Sequence, residues 1–121
     1  MNAPLDTDPP ELIVGLGASA GGLRALETFF QAMPCDSGCA FVVVQHLSPD
    51  FKSLMDDLLA RHTRMRIQVV EEGMQLERDC VYLIPPRKLM TVTQGRLALT
   101  EREAARQLEF PINVFLDSLA A

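Results

Sequence analysis

The sequence has no tryptophan, one tyrosine and three cysteines in 121 residues. Three is too few, and odd, for a disulfide framework. Cys35 and Cys39 have no cysteine or histidine pair at zinc spacing, so no metal site is expected. The N-terminus, Met1-Asn2-Ala3-Pro4-Leu5, lacks the basic and apolar regions of a secretory signal. A reducing cytoplasm is the expected compartment. Basic excess is absent too: 11 Lys and Arg face 16 Asp and Glu, a net charge of −5. A nucleic-acid partner, which needs cations gathered on one face, is not expected. The longest apolar run, Cys39 to Val44, is far too short to span a bilayer.

What is present is a core. Apolar residues make up 48% of the chain, enough to exclude wholesale disorder, and the length allows one domain at most. Residues 1–10 are polar and proline-rich and read as a flexible leader; residues 11–121 read as the folded part. Leu12-Ile13-Val14 opens an apolar run that ends in glycines, the signature of a strand buried on both faces. Leu23, Leu26, Phe30 and Met33 recur at helical steps up to Pro34. Ala40–Val44 is a second continuous strand. Phe51, Leu54, Met55, Leu58 and Leu59 mark a second helix. Strands follow at Ile67–Val70 and Val81–Ile84, then a hairpin, 90–93 and 96–99, around Gln94-Gly95. Pro111 suits a first helical position, and Ile112, Phe115, Leu116 and Leu119 continue that helix. The alternation predicts an α/β fold with a mostly parallel sheet. The last helix reaches Ala121 with no cap or stop signal, so the chain reads as part of a longer polypeptide.

Residues 15–22, Gly-Leu-Gly-Ala-Ser-Ala-Gly-Gly, join the first strand to the first helix. Two chemistries fit. Gly17-Ala18-Ser19-Ala20-Gly21 has the Gly-x-Ser-x-Gly form of a nucleophile elbow, whose tight turn exposes a serine at the carboxyl end of a sheet. Small neighbours allow the turn, and the helix N-terminus behind it offers N–H groups to an oxyanion. Gly15-x-Gly17-x-x-Ala20 equally fits a dinucleotide loop, although the second strand ends in Val44-Gln45-His46 and not in the acid that would hold a ribose. In the plainer reading Ser19 only caps the helix. His46 follows strand two as Ser19 follows strand one, which puts both at the carboxyl edge of a parallel sheet. Serine needs such a neighbour, because imidazole can take its proton and pass it to a leaving group. His62, at the end of the second helix, suits a structural role there.

Taken together, the segment Ile13–Gly22 resembles the nucleophile segment of the CheB-type chemotaxis protein-glutamate methylesterases, and Gln45-His46-Leu47-Ser48-Pro49-Asp50 their histidine segment. Val81-Tyr82-Leu83-Ile84-Pro85-Pro86 and the stretch Phe110–Ala120 are similar to later parts of the same domain. Leu47 to Thr63 is most similar to methylesterase modules fused to a methyltransferase. The resemblance implies a doubly wound, three-layer α/β/α domain, here its N-terminal half with a β-hairpin. It implies hydrolysis of glutamyl methyl esters on the cytoplasmic helices of chemoreceptors, with methanol released; some members also deamidate receptor glutamines. It implies no cofactor. Its partners would be methylated chemoreceptors and a fused or separate methyltransferase. Ser19 is then the nucleophile, His46 the base and acid, and Gly17, Ala18, Ala20 and Gly21 the turn beside the oxyanion. The family's triad aspartate lies in a Gly-x-Gly-x-Asp-Gly segment beyond Ala121. Two positions depart from the pattern: Asn113, where many members have aspartate, and Leu89, where some have histidine.

Overall fold

The computed structural model describes residues 9–18, 23–45, 55–85, 87–101 and 111–121. Four strands, β1 (Leu12–Ala18), β2 (Cys39–Gln45), β3 (Arg66–Val69) and β4 (Cys80–Leu83), form one parallel sheet in the order β1-β2-β4-β3. The two central strands are the continuous apolar ones. Ala40–Val44 of β2 and all of β4 are buried, as strands covered on both faces must be. The outer strands carry the exposure: Leu12 is 65% exposed and Val69 47%.

Alternate residues of these strands build two cores. Phe41, Val43, Val81 and Leu83 face α1 (Leu23–Ala32) and α2 (Met55–Ala60), packing with Leu26, Phe30 and Leu59. Phe29, Phe30 and Phe41 meet edge to face, with ring centroids 5.1 to 5.9 Å apart. Ala40, Val42, Val44, Cys80 and Tyr82 point the other way. They meet Met90, Val92 and Leu97 of the antiparallel hairpin β5 (Lys88–Thr93) and β6 (Arg96–Glu101), and Phe115 of α3 (Pro111–Ala120). The fold is therefore α/β in three layers: α1 and α2, the sheet, then α3 with the hairpin.

The path from β3 to β4 contains no helix. Residues 70–79 instead cross over the hairpin, where Gly73 N–H bonds Leu97 O, Leu97 N–H bonds Met74 O and Leu76 N–H bonds Gly95 O. The chain re-enters the sheet through Asp79, which sits at a left-handed φ of 61°. Its N–H bonds Cys39 O and its carboxylate accepts from Gly38 N–H, so the sheet itself holds the turn. No helix among the described residues is long and apolar enough to cross a membrane.

Candidate active site

β1 and β2 lie side by side, in register from Leu12 opposite Cys39 to Ala18 opposite Gln45. That last rung is the carboxyl end of both strands. The next residue in the chain after Ala18 is Ser19, and after Gln45 it is His46. Ser19, Ala20, Gly21 and His46 themselves lie outside the described residues. So do Phe51 and Leu54 of the second predicted helix, as well as Pro86.

Gly17 and Ala18 are the final two residues of β1, with Gly17 opposite Val44. The residues expected to begin a turn are thus still strand. Gly17 does not have the left-handed φ that Gly38, Gly73 and Gly95 adopt. Its need for glycine comes from α3. A Cβ at position 17 would stand 2.5 Å from Ile112 Cγ2. At position 15 it would stand 3.0 Å from Leu116 Cδ2 and 3.2 Å from Phe115 Cε2. The two glycines, on one face of β1 by the two-residue strand period, leave a slot into which α3 settles. Because Ile112 meets Gly17 and Leu116 meets Gly15, α3 runs antiparallel to β1 and starts at the carboxyl edge. Ile112 fills the space over Gly17 on that face of β1. Alternating glycines inside an apolar strand were the sequence signal for this close helix, and it is easily mistaken for a ligand loop.

The other polar groups near the sheet are structural. Tyr82 is fully buried in β4. Its hydroxyl accepts a bond from Glu77 N–H (2.8 Å) and donates to Gln75 O (3.4 Å), which fastens the crossing segment to the sheet. Burial pushes its phenol well above the ordinary value, so it is no acid or base near neutral pH. The Cys80 thiol is likewise pushed up by burial, and it stays protonated. Cys35, Cys39 and Cys80 are free thiols. No group of three metal-ligating side chains occurs among the described residues. His62 contacts Glu27 at 2.9 Å and ties the end of α2 to α1. Leu89 is buried in β5, so its departure from the family pattern falls in packing, while Asn113 is exposed on α3.

Residues 14–121 match the profile of the family described as CheB methylesterase. Among curated proteins, the chain is 34% identical over 118 residues to a protein-glutamate methylesterase/protein-glutamine glutaminase of Burkholderia orbicola. That match covers 97% of this chain and 35% of the relative. It is 45% identical over 67 residues to an uncharacterized 104.1 kDa protein of Rhodobacter capsulatus, covering 55% of this chain and 7% of that one. The chain thus spans about a third of the length of the methylesterase relatives it matches. Among solved structures, the CheB methylesterase catalytic domain of Thermotoga maritima has the same fold. Its TM-score is 0.72 at 22% identity, with 93% of this chain and 61% of that chain covered.

Proposed function

The chain belongs to the CheB methylesterase family, and on that premise we propose that it supplies the nucleophile and the general base of a serine hydrolase that demethylates glutamate side chains of chemoreceptors. The observation that carries this reading is the last rung between β1 and β2. Neighbouring strands lie about 4.8 Å apart and one residue step is about 3.8 Å. Residues directly following Ala18 and Gln45 therefore have Cα atoms within about 12 Å of each other, by chain length alone. Serine and imidazole side chains can meet across the shorter part of that range, up to a Cα separation of about 9–10 Å once a hydrogen bond of about 2.8 Å is included.

In this mechanism Ser19 Oγ attacks the γ-carbonyl carbon of the glutamyl methyl ester as His46 takes its proton. The tetrahedral oxyanion is held by N–H groups of the turn leading into α1. Collapse expels methoxide, which leaves as methanol with the proton from His46. Water, deprotonated by His46, then cleaves the acyl-enzyme to give the free glutamate carboxylate and restore Ser19. The carboxylate that orients the imidazole lies outside these 121 residues, as the family pattern implies, so full turnover belongs to a longer polypeptide. The substrate places the reaction in the cytoplasm, where receptor helices are methylated by a partner or fused methyltransferase.

The test is methanol release from methylated chemoreceptor membranes by a family-length protein containing this chain. Activity that disappears in Ser19→Ala supports the proposal. A family-length protein that binds receptors but releases no methanol overturns it in favour of a non-catalytic binding module.

A further inference from the structure

The helices α1 and α2 both run from the carboxyl edge of the sheet to its amino edge, and their C-terminal ends border a hollow of about 490 Å³. Phe30, Met33 and Ala60 line it together with Arg61, His62 and Arg64. From Leu58 to Val70 the chain has no acidic residue, although acids outnumber bases overall. Arg61, Arg64 and Arg66 thus form a run of cations without an acid along this stretch of an anionic molecule.

The loop that presents these cations is fixed at several points. Leu59 and Met65, at its two ends, are buried. His62 N–H bonds Leu59 O, and the His62 ring contacts Glu27. Thr63 Oγ1 accepts from Met65 N–H. Arg61 and Arg64, by contrast, are exposed and have no carboxylate partner among the described residues. A guanidinium held on a rigid loop is a ready fork for a carboxylate. The neighbouring acids are Glu27, already engaged by His62, the exposed Asp36, and the exposed Asp57, on α2 one helical turn before Arg61 and itself engaged.

We propose that this hollow is a docking site for a short acidic peptide segment of a partner protein, with an apolar side chain seated against Met33 and flanking carboxylates on Arg61 and Arg64. The net charge of −5 disfavours a polyanionic nucleic acid or an anionic membrane, which would meet the whole surface. A concave site of this size suits one anchor residue and its neighbours. The hollow lies at the edge opposite Ala18 and Gln45, so a docked partner leaves that end of the sheet open. The proposal is independent of the role of Ser19.

The test is fluorescence anisotropy on a family-length protein containing this chain, using a labelled peptide with a central Leu flanked by Asp and Glu and a twin with Lys in place of the acids. The acidic peptide should bind and the Lys twin should not. Arg61→Glu/Arg64→Glu should weaken binding about tenfold or more, the milder Arg61→Gln/Arg64→Gln should weaken it less, and Arg24→Glu, at the far end of α1, should leave it unchanged. Added salt should reduce the affinity of the native chain most. Circular dichroism checks that each variant is folded. The proposal is overturned if folded double variants bind as the native chain does, or if Arg24→Glu weakens binding as much. It is also overturned if anionic vesicles or a DNA oligonucleotide bind this loop and the peptide does not, or if the arginine changes alter only thermal stability, which would assign them to the end of α2.

Discussion

Replacing Gly17 by alanine isolates the contact that joins β1 to α3. The new methyl carbon would stand 2.5 Å from Ile112 Cγ2, against an optimal carbon–carbon separation of about 3.5–4.0 Å. Cγ2 belongs to a β-branched side chain in a helix, where one rotamer dominates, so it cannot swing aside. Relief requires α3 to lift by roughly an ångström, the shortfall from that optimal separation. The shift would loosen Phe115, which is fully buried against the sheet. Overpacking of this kind costs about 1–3 kcal/mol. The entropic gain of alanine over glycine in the unfolded chain offsets about 0.4–1 kcal/mol. The net expectation is about 1–2 kcal/mol of destabilisation, read as a lowered urea midpoint with an unchanged slope. Ile112→Ala removes Cγ2, so in that background Gly17→Ala should be neutral or stabilising. The double-mutant cycle should then show a coupling of about 1–3 kcal/mol, the overpacking cost itself, because the entropic gain is common to both backgrounds. If Gly17→Ala stabilises the chain by a few tenths in both backgrounds, the glycine has nothing to do with Ile112 and the packing argument fails.

Tyr82→Phe leaves Glu77 N–H without its partner in a partly buried place and should cost about 1–3 kcal/mol by urea titration. Tyr82 and Cys80 both have raised pKa values through burial, so the folded chain holds protons that the unfolded chain releases. Their stabilising contribution is complete below the ordinary values of 9.0 and 10.0 and is lost as pH rises above them. The urea midpoint should fall in alkali, and Tyr82→Phe should flatten part of that fall. Ser118 Oγ accepts from Val92 N–H at 3.0 Å and donates to Phe115 O at 2.7 Å. Ser118→Ala should therefore loosen α3 from the hairpin by about 1 kcal/mol in the same titration. Gln94 holds a left-handed φ of 52° before Gly95 at 77°, a turn that favours Asn-Gly, so Gln94→Asn should raise stability by about 0.5 kcal/mol.

The order of elements was legible because each carries its own period. Phe41 and Val43 next to Ala40 and Val42 read as a two-faced strand, and Gln94-Gly95 between alternating residues reads as a hairpin turn. Boundaries shifted where glycine misleads. β1 continues past Val14 to Ala18 because pairing with β2 carries it through Gly15 and Gly17. The hairpin is longer than its apolar residues suggest, since Lys88 and Glu101 at its open end also pair. Strand order was not legible. Nothing local in Arg66–Val69 says that β4 inserts between it and β2, because that depends on the crossing segment 70–79 packing on the hairpin. In the site, the glycine pattern admitted an elbow or a phosphate loop, and only the position of Ile112 showed that one face of β1 is already occupied. Arg61 and Arg64 carry no signal in the sequence, because a cation after a helix has an ordinary explanation, and only the hollow beside them suggests more.

The most direct test of the central claim is covalent labelling of the family-length protein with a fluorophosphonate, followed by peptide mapping. Ser19 should carry the adduct while Ser37, Ser48, Ser53 and Ser118 stay unmodified, and His46→Ala should abolish labelling in a protein that remains folded. An adduct on another serine, no adduct at all, or labelling of Ser19 that is indifferent to His46→Ala would contradict the account.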